Sequence, residues 1–181
     1  MDTFTLCLNM RRALVAAAAV LMPAIALAHP GDETTYGFLP GLLHPWTGID
    51  HVAAMLAAGL WAARLGGRSI LIMMCATVVG IAAGAALGAQ HATFSLAEQI
   101  TAVSALVLGL LATAAATPRV PVAASLVALF CVFHGYVHAV EADQLWQPAF
   151  TGGFVFSMLT LQVLGAAIAV LLAHRSMARL A

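Results

Sequence analysis

The sequence predicts an all-α integral membrane protein, a compact bundle of about five transmembrane helices behind a cleaved signal peptide, with the N-terminus outside and the C-terminus inside. Three observations carry this. Of 181 residues, 63% are hydrophobic and only 8% are charged, far more apolar surface than a soluble domain needs. The apolar residues fall in runs of the length a bilayer core demands, roughly 20 residues. The charges are segregated along those runs, arginine at one set of ends, acid and six of the seven histidines at the other. No period-2 alternation suggests a membrane barrel, and helices satisfy their own backbone in lipid.

Residues 1–28 read as a secretory leader. Arg11 and Arg12 form its basic start, 13–25 is a short apolar run, and Ala26-Leu27-Ala28 is a small-x-small cleavage pattern. Residues 29–181 then form a single transmembrane helical domain. A Gly- and Pro-punctuated lead-in, 29–43, carries Asp32 and Glu33. The first span covers about 44–63, and Arg64-Leu-Gly-Gly-Arg68 is a tight loop. The second covers 69–90. A polar connection, 91–98, holds His91 and Glu98 and lacks arginine. The third covers about 99–116, and Thr117-Pro-Arg-Val-Pro121 breaks it. The fourth covers 122–140, and 141–148 is a loop with Glu141, Asp143 and Trp146. The fifth covers 149–173, followed by a short tail.

An exported leader leaves the mature N-terminus outside. Five spans then put Arg64, Arg68, Arg119, Arg175 and Arg179 all inside, as positive-inside topology requires. Trp46 and Trp146 fall at outer ends, where interfacial aromatics belong, and Trp61 near an inner one. Gly80, Gly84 and Gly88 line one face of the second span and allow close helix packing. Formal net charge is zero and lysine is absent, which leaves no basic patch for nucleic acid. Cys75 and Cys131 sit inside apolar runs without disulfide logic, and Cys7 lies in the leader.

The chemistry lies in two segments, 44–51 and 134–141. In the fourth span His134, His138 and Glu141 stand at i, i+4 and i+7 and share one helix face. In the first, His44 and His51 are seven apart and share a face if the helix is continuous, with Asp50 beside it. At 1.5 Å rise per residue, Asp50, His51 and His134 lie roughly 10 Å below the outer ends. His44, His138 and Glu141 form a shallower layer. Ionisable groups inside a span are costly and mark ion pathways. Imidazole with carboxylate suits borderline divalent metals such as Ni²⁺, Co²⁺, Zn²⁺ and Cu²⁺. After cleavage, His29 offers an amine and an imidazole at the outer mouth. Cys131 extends the stripe one turn deeper, as core residue or as ligand. Thr101, Ser104 and Gln162 fit either a path lining or interhelical hydrogen bonds. Thr47-x-x-Asp50 also fits a helix-capping pattern. The inner half offers few ligands: Met73, Met74, Cys75, Thr77 and Gln162.

At these residues the chain resembles the HupE/UreJ family of nickel and cobalt permeases. The block His44-Pro45-Trp46-Thr47-Gly48-Ile49-Asp50-His51 carries the resemblance, with the run to Gly59-Leu60-Trp61-Ala62 and Phe133-His134-Gly135-Tyr136 through His138 to Glu141. So does the leader that ends before His-Pro-Gly. The resemblance implies that His44, Asp50, His51, His134, His138 and Glu141 take part in metal passage, and a supply of metal to hydrogenase or urease maturation. The expected function is secondary uptake of Ni²⁺, or Co²⁺, from periplasm to cytoplasm across the bacterial inner membrane. The metal is cargo, and no permanent cofactor is expected. No phosphate-binding loop points to ATP hydrolysis. Two other readings of the same residues stand beside it. One is a zinc-dependent membrane hydrolase with an open coordination position, using Ser104 or Glu141 as the extra catalytic group. The other is a b-type haem protein with paired histidines.

Overall fold

Six helices run through the residues described by the computed structural model, 37–90, 94–114, 116–142 and 148–178. They are α1 (Phe38–Thr47), α2 (Ile49–Leu65), α3 (Ser69–Ala89), α4 (Ala97–Thr113), α5 (Val120–Ala142) and α6 (Pro148–Ala178). No strand occurs among the described residues. Three segments are long and apolar enough to cross a membrane: Ser69–Ala89, Val120–Val140 and Pro148–His174. The 17 residues of α2 and the 17 of α4 each rise about 25 Å. The leader, His29, His91, Asp143 and Trp146 lie outside the described residues.

The first expected span differs from expectation. It is not one helix beginning near His44. The chain is helical from Phe38, breaks at Gly48 (φ −99°, ψ 114°), and resumes at Ile49. Pro40 sits in the first turn, where its missing N–H costs nothing. The Thr47 hydroxyl donates back to the His44 carbonyl at 2.7 Å, satisfying one acceptor of the last turn. Thr47 is therefore not a cap for the next helix, and α2 begins without any side-chain cap. The capping pattern read at Thr47-x-x-Asp50 is not used, because both side chains have other partners.

Glycine sets the closest packing. A Cβ on Gly80 would reach the Cys131 Cβ at 2.7 Å, one on Gly84 would meet the Tyr136 amide nitrogen at 2.7 Å, and one on Gly88 the Ala139 Cβ at 2.6 Å. The paired numbers rise together, so α3 and α5 run parallel with backbones in contact. On α5, Gly135 answers with the same closeness to the Ile81 backbone. A second seam joins α1 and α2 to α6: Gly41 abuts the Phe150 carbonyl, Gly153 the Phe38 carbonyl, Gly59 the Gln162 carbonyl and Gly165 the Leu56 carbonyl. Its α2 half also runs parallel, since His51 meets Phe154 and Gly59 meets Gln162. Without a hydrophobic force between helices in lipid, such contacts are what hold a bundle together.

The helix ends near Arg64 close on each other. Gly66 (φ 72°) ends α2 in the left-handed region, its N–H reaching the Ala62 and Ala63 carbonyls. The Ser69 hydroxyl donates to the Ala62 carbonyl at 2.6 Å. Arg64 donates to the Ala112 carbonyl and Trp61 to the Ala116 carbonyl, the latter at 2.7 Å. The C-terminal ends of α2 and α4 thus lie side by side, at what we call the arginine end. His44, Asp50, His51 and His138 lie toward the opposite, histidine end.

Candidate metal site

The break at Gly48 builds the site. Because the chain turns there, α1 delivers His44 and α2 delivers Asp50 and His51 to one place. A straight helix would have carried the first two turns past it. The glycine is required for space rather than backbone freedom. A Cβ there would stand 2.6 Å from His51 Nδ1 and 2.8 Å from an Asp50 carboxylate oxygen.

Two overlapping clusters result. His44, His51 and His138 form one; Asp50, His51 and His134 form the other. In each, one ligand atom per residue lies within 4.8 Å of the others. Nitrogens on a single ion stand at most about 4.2 Å apart, twice a bond of about 2.1 Å, so a small inward movement of the rings closes either cluster. His51 belongs to both. Its Nδ1 donates to Asp50 Oδ1 at 2.9 Å, which leaves the lone pair on Nε2. That atom meets His138 Nε2 at 2.6 Å.

His134 is prepared in the same way. Its Nδ1 donates to the Phe130 carbonyl of its own helix at 3.0 Å. The lone pair is therefore on Nε2, which is fully buried and has no hydrogen-bond partner among the described residues. An imidazole tied at one nitrogen to a carboxylate or carbonyl and bare at the other is the standard preparation of a metal ligand. An unpaired lone pair buried in an apolar bundle is expensive unless something binds there.

Phe154 of α6 packs the rings in place. Its centroid lies 5.9 Å from that of His44, 6.0 Å from His51 and 5.2 Å from His138, and the side chain is fully buried. Phe150, one turn nearer the histidine end, sits 5.8 Å from His44. Edge-to-face contacts of this kind fix ring orientation. Sequence reasoning missed both phenylalanines. The available signal was an aromatic pair at i, i+4 at the outer end of the last span, level with the histidines.

The remaining candidates divide. The Glu141 backbone closes the last turn of α5, but its side chain lies outside the described residues. Cys131 is buried against the Thr77 hydroxyl. Ser104 is buried and spends its hydroxyl on the Thr101 carbonyl of its own helix at 2.6 Å. Gln162 joins neither histidine cluster; its Nε2 donates to Thr77 at 2.7 Å.

Comparison with known proteins decides the family. The family model described as HupE / UreJ protein matches residues 17–181. The chain belongs to the HupE/UreJ family. It is 37% identical over 153 residues to Protein HupE of Rhizobium leguminosarum bv. viciae, covering 84% of this chain and 80% of that protein. No solved structure matches it. The family is one of membrane-embedded metal permeases, not of enzymes, so the hydrolase reading of the same residues is set aside.

Proposed function

We propose that this protein takes up Ni²⁺, or Co²⁺, as a secondary transporter, moving it from periplasm to cytoplasm across the inner membrane. In this reading the leader is cleaved after Ala28, and residues 29–181 form one domain of five spans, the first being the broken pair α1–α2. The arginine end faces inward, as positive-inside topology favours. His29 and Glu141 then belong to the outer mouth, and the delivered metal serves hydrogenase or urease maturation.

One observation carries the proposal: His51 is shared by two ligand clusters inside a membrane bundle, with its Nδ1 held by Asp50. A cation held by His44, His51 and His138 can pass to Asp50, His51 and His134 without losing contact with His51. The Asp50 carboxylate offsets part of the ion's charge, whose burial alone would be prohibitive. The membrane potential would supply about 2.3 kcal/mol per charge per 100 mV. The test is uptake of radiolabelled Ni²⁺ by cells expressing the full chain, with competition by Co²⁺ and Zn²⁺. Loss of uptake in both His51→Ala and His134→Ala is expected; normal uptake in both defeats the mechanism.

A further inference from the structure

Toward the arginine end, the bundle among the described residues holds no buried acid or histidine below the two clusters. It does hold a buried polar group that nothing explains. Gln162 is 2% exposed. Its Nε2 donates to the Thr77 hydroxyl at 2.7 Å, and that hydroxyl in turn lies beside the Cys131 thiol. This arrangement leaves the Gln162 Oε1 buried with no partner among the described residues. Reversing the amide would turn its oxygen toward Thr77 and leave both N–H donors buried without a partner. An acceptor left bare in an apolar interior costs about 1–3 kcal/mol. A mere tie between helices would not need it, since Thr77 alone satisfies one side of the amide.

The three residues come from three helices, α3, α5 and α6, and lie roughly 4.5 to 12 Å inward of the histidine level by helical rise. Cys131 is three residues from His134, about 4.5 Å nearer the arginine end by helical rise. Gln162 is eight residues beyond Phe154, about 12 Å past the ring that packs on His51. The close approach of α3 to α5 sets Gly80 against the Cys131 Cβ, with Thr77 three residues before it on α3. The group thus lies directly inward of the deeper histidine cluster. It offers an amide oxygen, a hydroxyl oxygen and a sulfur, all of them donor types a divalent transition ion accepts.

We propose that Gln162, Thr77 and Cys131 form a second cation station, through which the divalent metal leaves the histidine clusters. The inference rests on the uptake reading above. Its donors are weaker than imidazole with carboxylate, and that is the point of the arrangement. Passage requires each site to bind well enough to be entered and weakly enough to be left. A weaker oxygen and sulfur set after a stronger nitrogen and carboxylate set lets the ion move inward instead of staying in the histidine cage.

The test uses the purified full chain, with Ni²⁺ as the probe, in calorimetric binding and in proteoliposome uptake. Gln162→Leu is expected to leave Ni²⁺ affinity at the histidine clusters unchanged and to slow uptake roughly tenfold, the effect of losing about 1.4 kcal/mol at one barrier. Gln162→Glu, which adds a charged oxygen, is expected to bind a second Ni²⁺ per chain at least about tenfold more tightly than wild type, and to do so in the His51→Ala background as well. Thr77→Val breaks the same tie and should slow uptake in the same direction. A Gln162→Leu protein that melts cooperatively and transports at the wild-type rate overturns the proposal. So does a Gln162→Glu protein that gains no second ion, which would mean the orphaned oxygen faces only a water. Failure of the histidine reading shows separately, as wild-type uptake in His51→Ala, whatever the Gln162 variants do.

Discussion

The two ends of the bundle use polar side chains in opposite ways. At the arginine end the side-chain contacts of Arg64, Trp61 and Ser69 close helix termini. Arg64 reaches the Ala112 carbonyl in the last turn of α4, Trp61 the Ala116 carbonyl just past it, and Ser69 the Ala62 carbonyl of α2. Acceptors that would otherwise be bare are satisfied, and a cation beside a helix C-terminus is favourable besides. At the histidine end the hydrogen bonds do something else. Asp50 and the Phe130 carbonyl each occupy one nitrogen of an imidazole and so force the lone pair onto the other. One of those lone pairs, on His134, is left buried and unpaired. A completed hydrogen bond closes a helix end, whereas a buried imidazole nitrogen left bare has the form of a metal ligand.

That contrast can be broken by mutation, and the effects should descend in order. The largest is expected for His51→Ala, which removes a ligand from both clusters at once. Ni²⁺ uptake should fall by at least about 100-fold, beyond the range for residues that only orient ligands, with the melting temperature near wild type. Asp50→Asn comes next. It keeps an acceptor for His51 Nδ1 but loses the negative charge, so Ni²⁺ affinity measured by calorimetry should drop about 10- to 100-fold.

Gly48→Ala tests whether the helix break serves the ligands. The backbone there suits any residue, but the new Cβ would crowd His51 Nδ1 and Asp50 at 2.6 and 2.8 Å. Affinity should fall about tenfold, at the low end of what disturbed ligand orientation costs; an unchanged affinity would show that the pair can move freely. The smallest effect belongs to the arginine end. Arg64→Gln removes one donor to the α4 terminus and should cost about 0.3–1 kcal/mol in stability. Uptake per folded molecule should not change. A large loss of uptake in that variant would erase the distinction between the two ends.

Much of this was legible in the residues. The runs of apolar residues gave α3 to α6 to within five positions, because a segment that must bury its backbone in lipid has little choice but to be helical. The spacing of His134 and His138 put them on one face, and depth counting from the helix ends grouped Asp50 with His51 and His134, and His44 with His138. The break at Gly48 was not legible. Nothing in local propensity distinguishes a glycine inside a helix from one between two helices, and only the packing of α1 on α6 decides it. Phe154 was missed for a related reason. An apolar side chain in an apolar run carries no signal of which neighbour it touches. Gln162 stood out as a polar residue in a span, but its partner Thr77 lies 85 positions away.

The sequence by itself determined that this chain is helical, that it belongs in a membrane, and that six of its seven histidines gather with the acids of residues 29–181 toward one end, because those properties depend on composition, periodicity and depth along single helices. Only the tertiary structure decided that His51 is shared between two clusters, that the Nε2 of His134 is left unpaired, and that an amide oxygen waits unpaired beneath them. Those facts depend on distances between helices, and close contacts of glycine on backbone fix such distances only once the whole bundle is assembled.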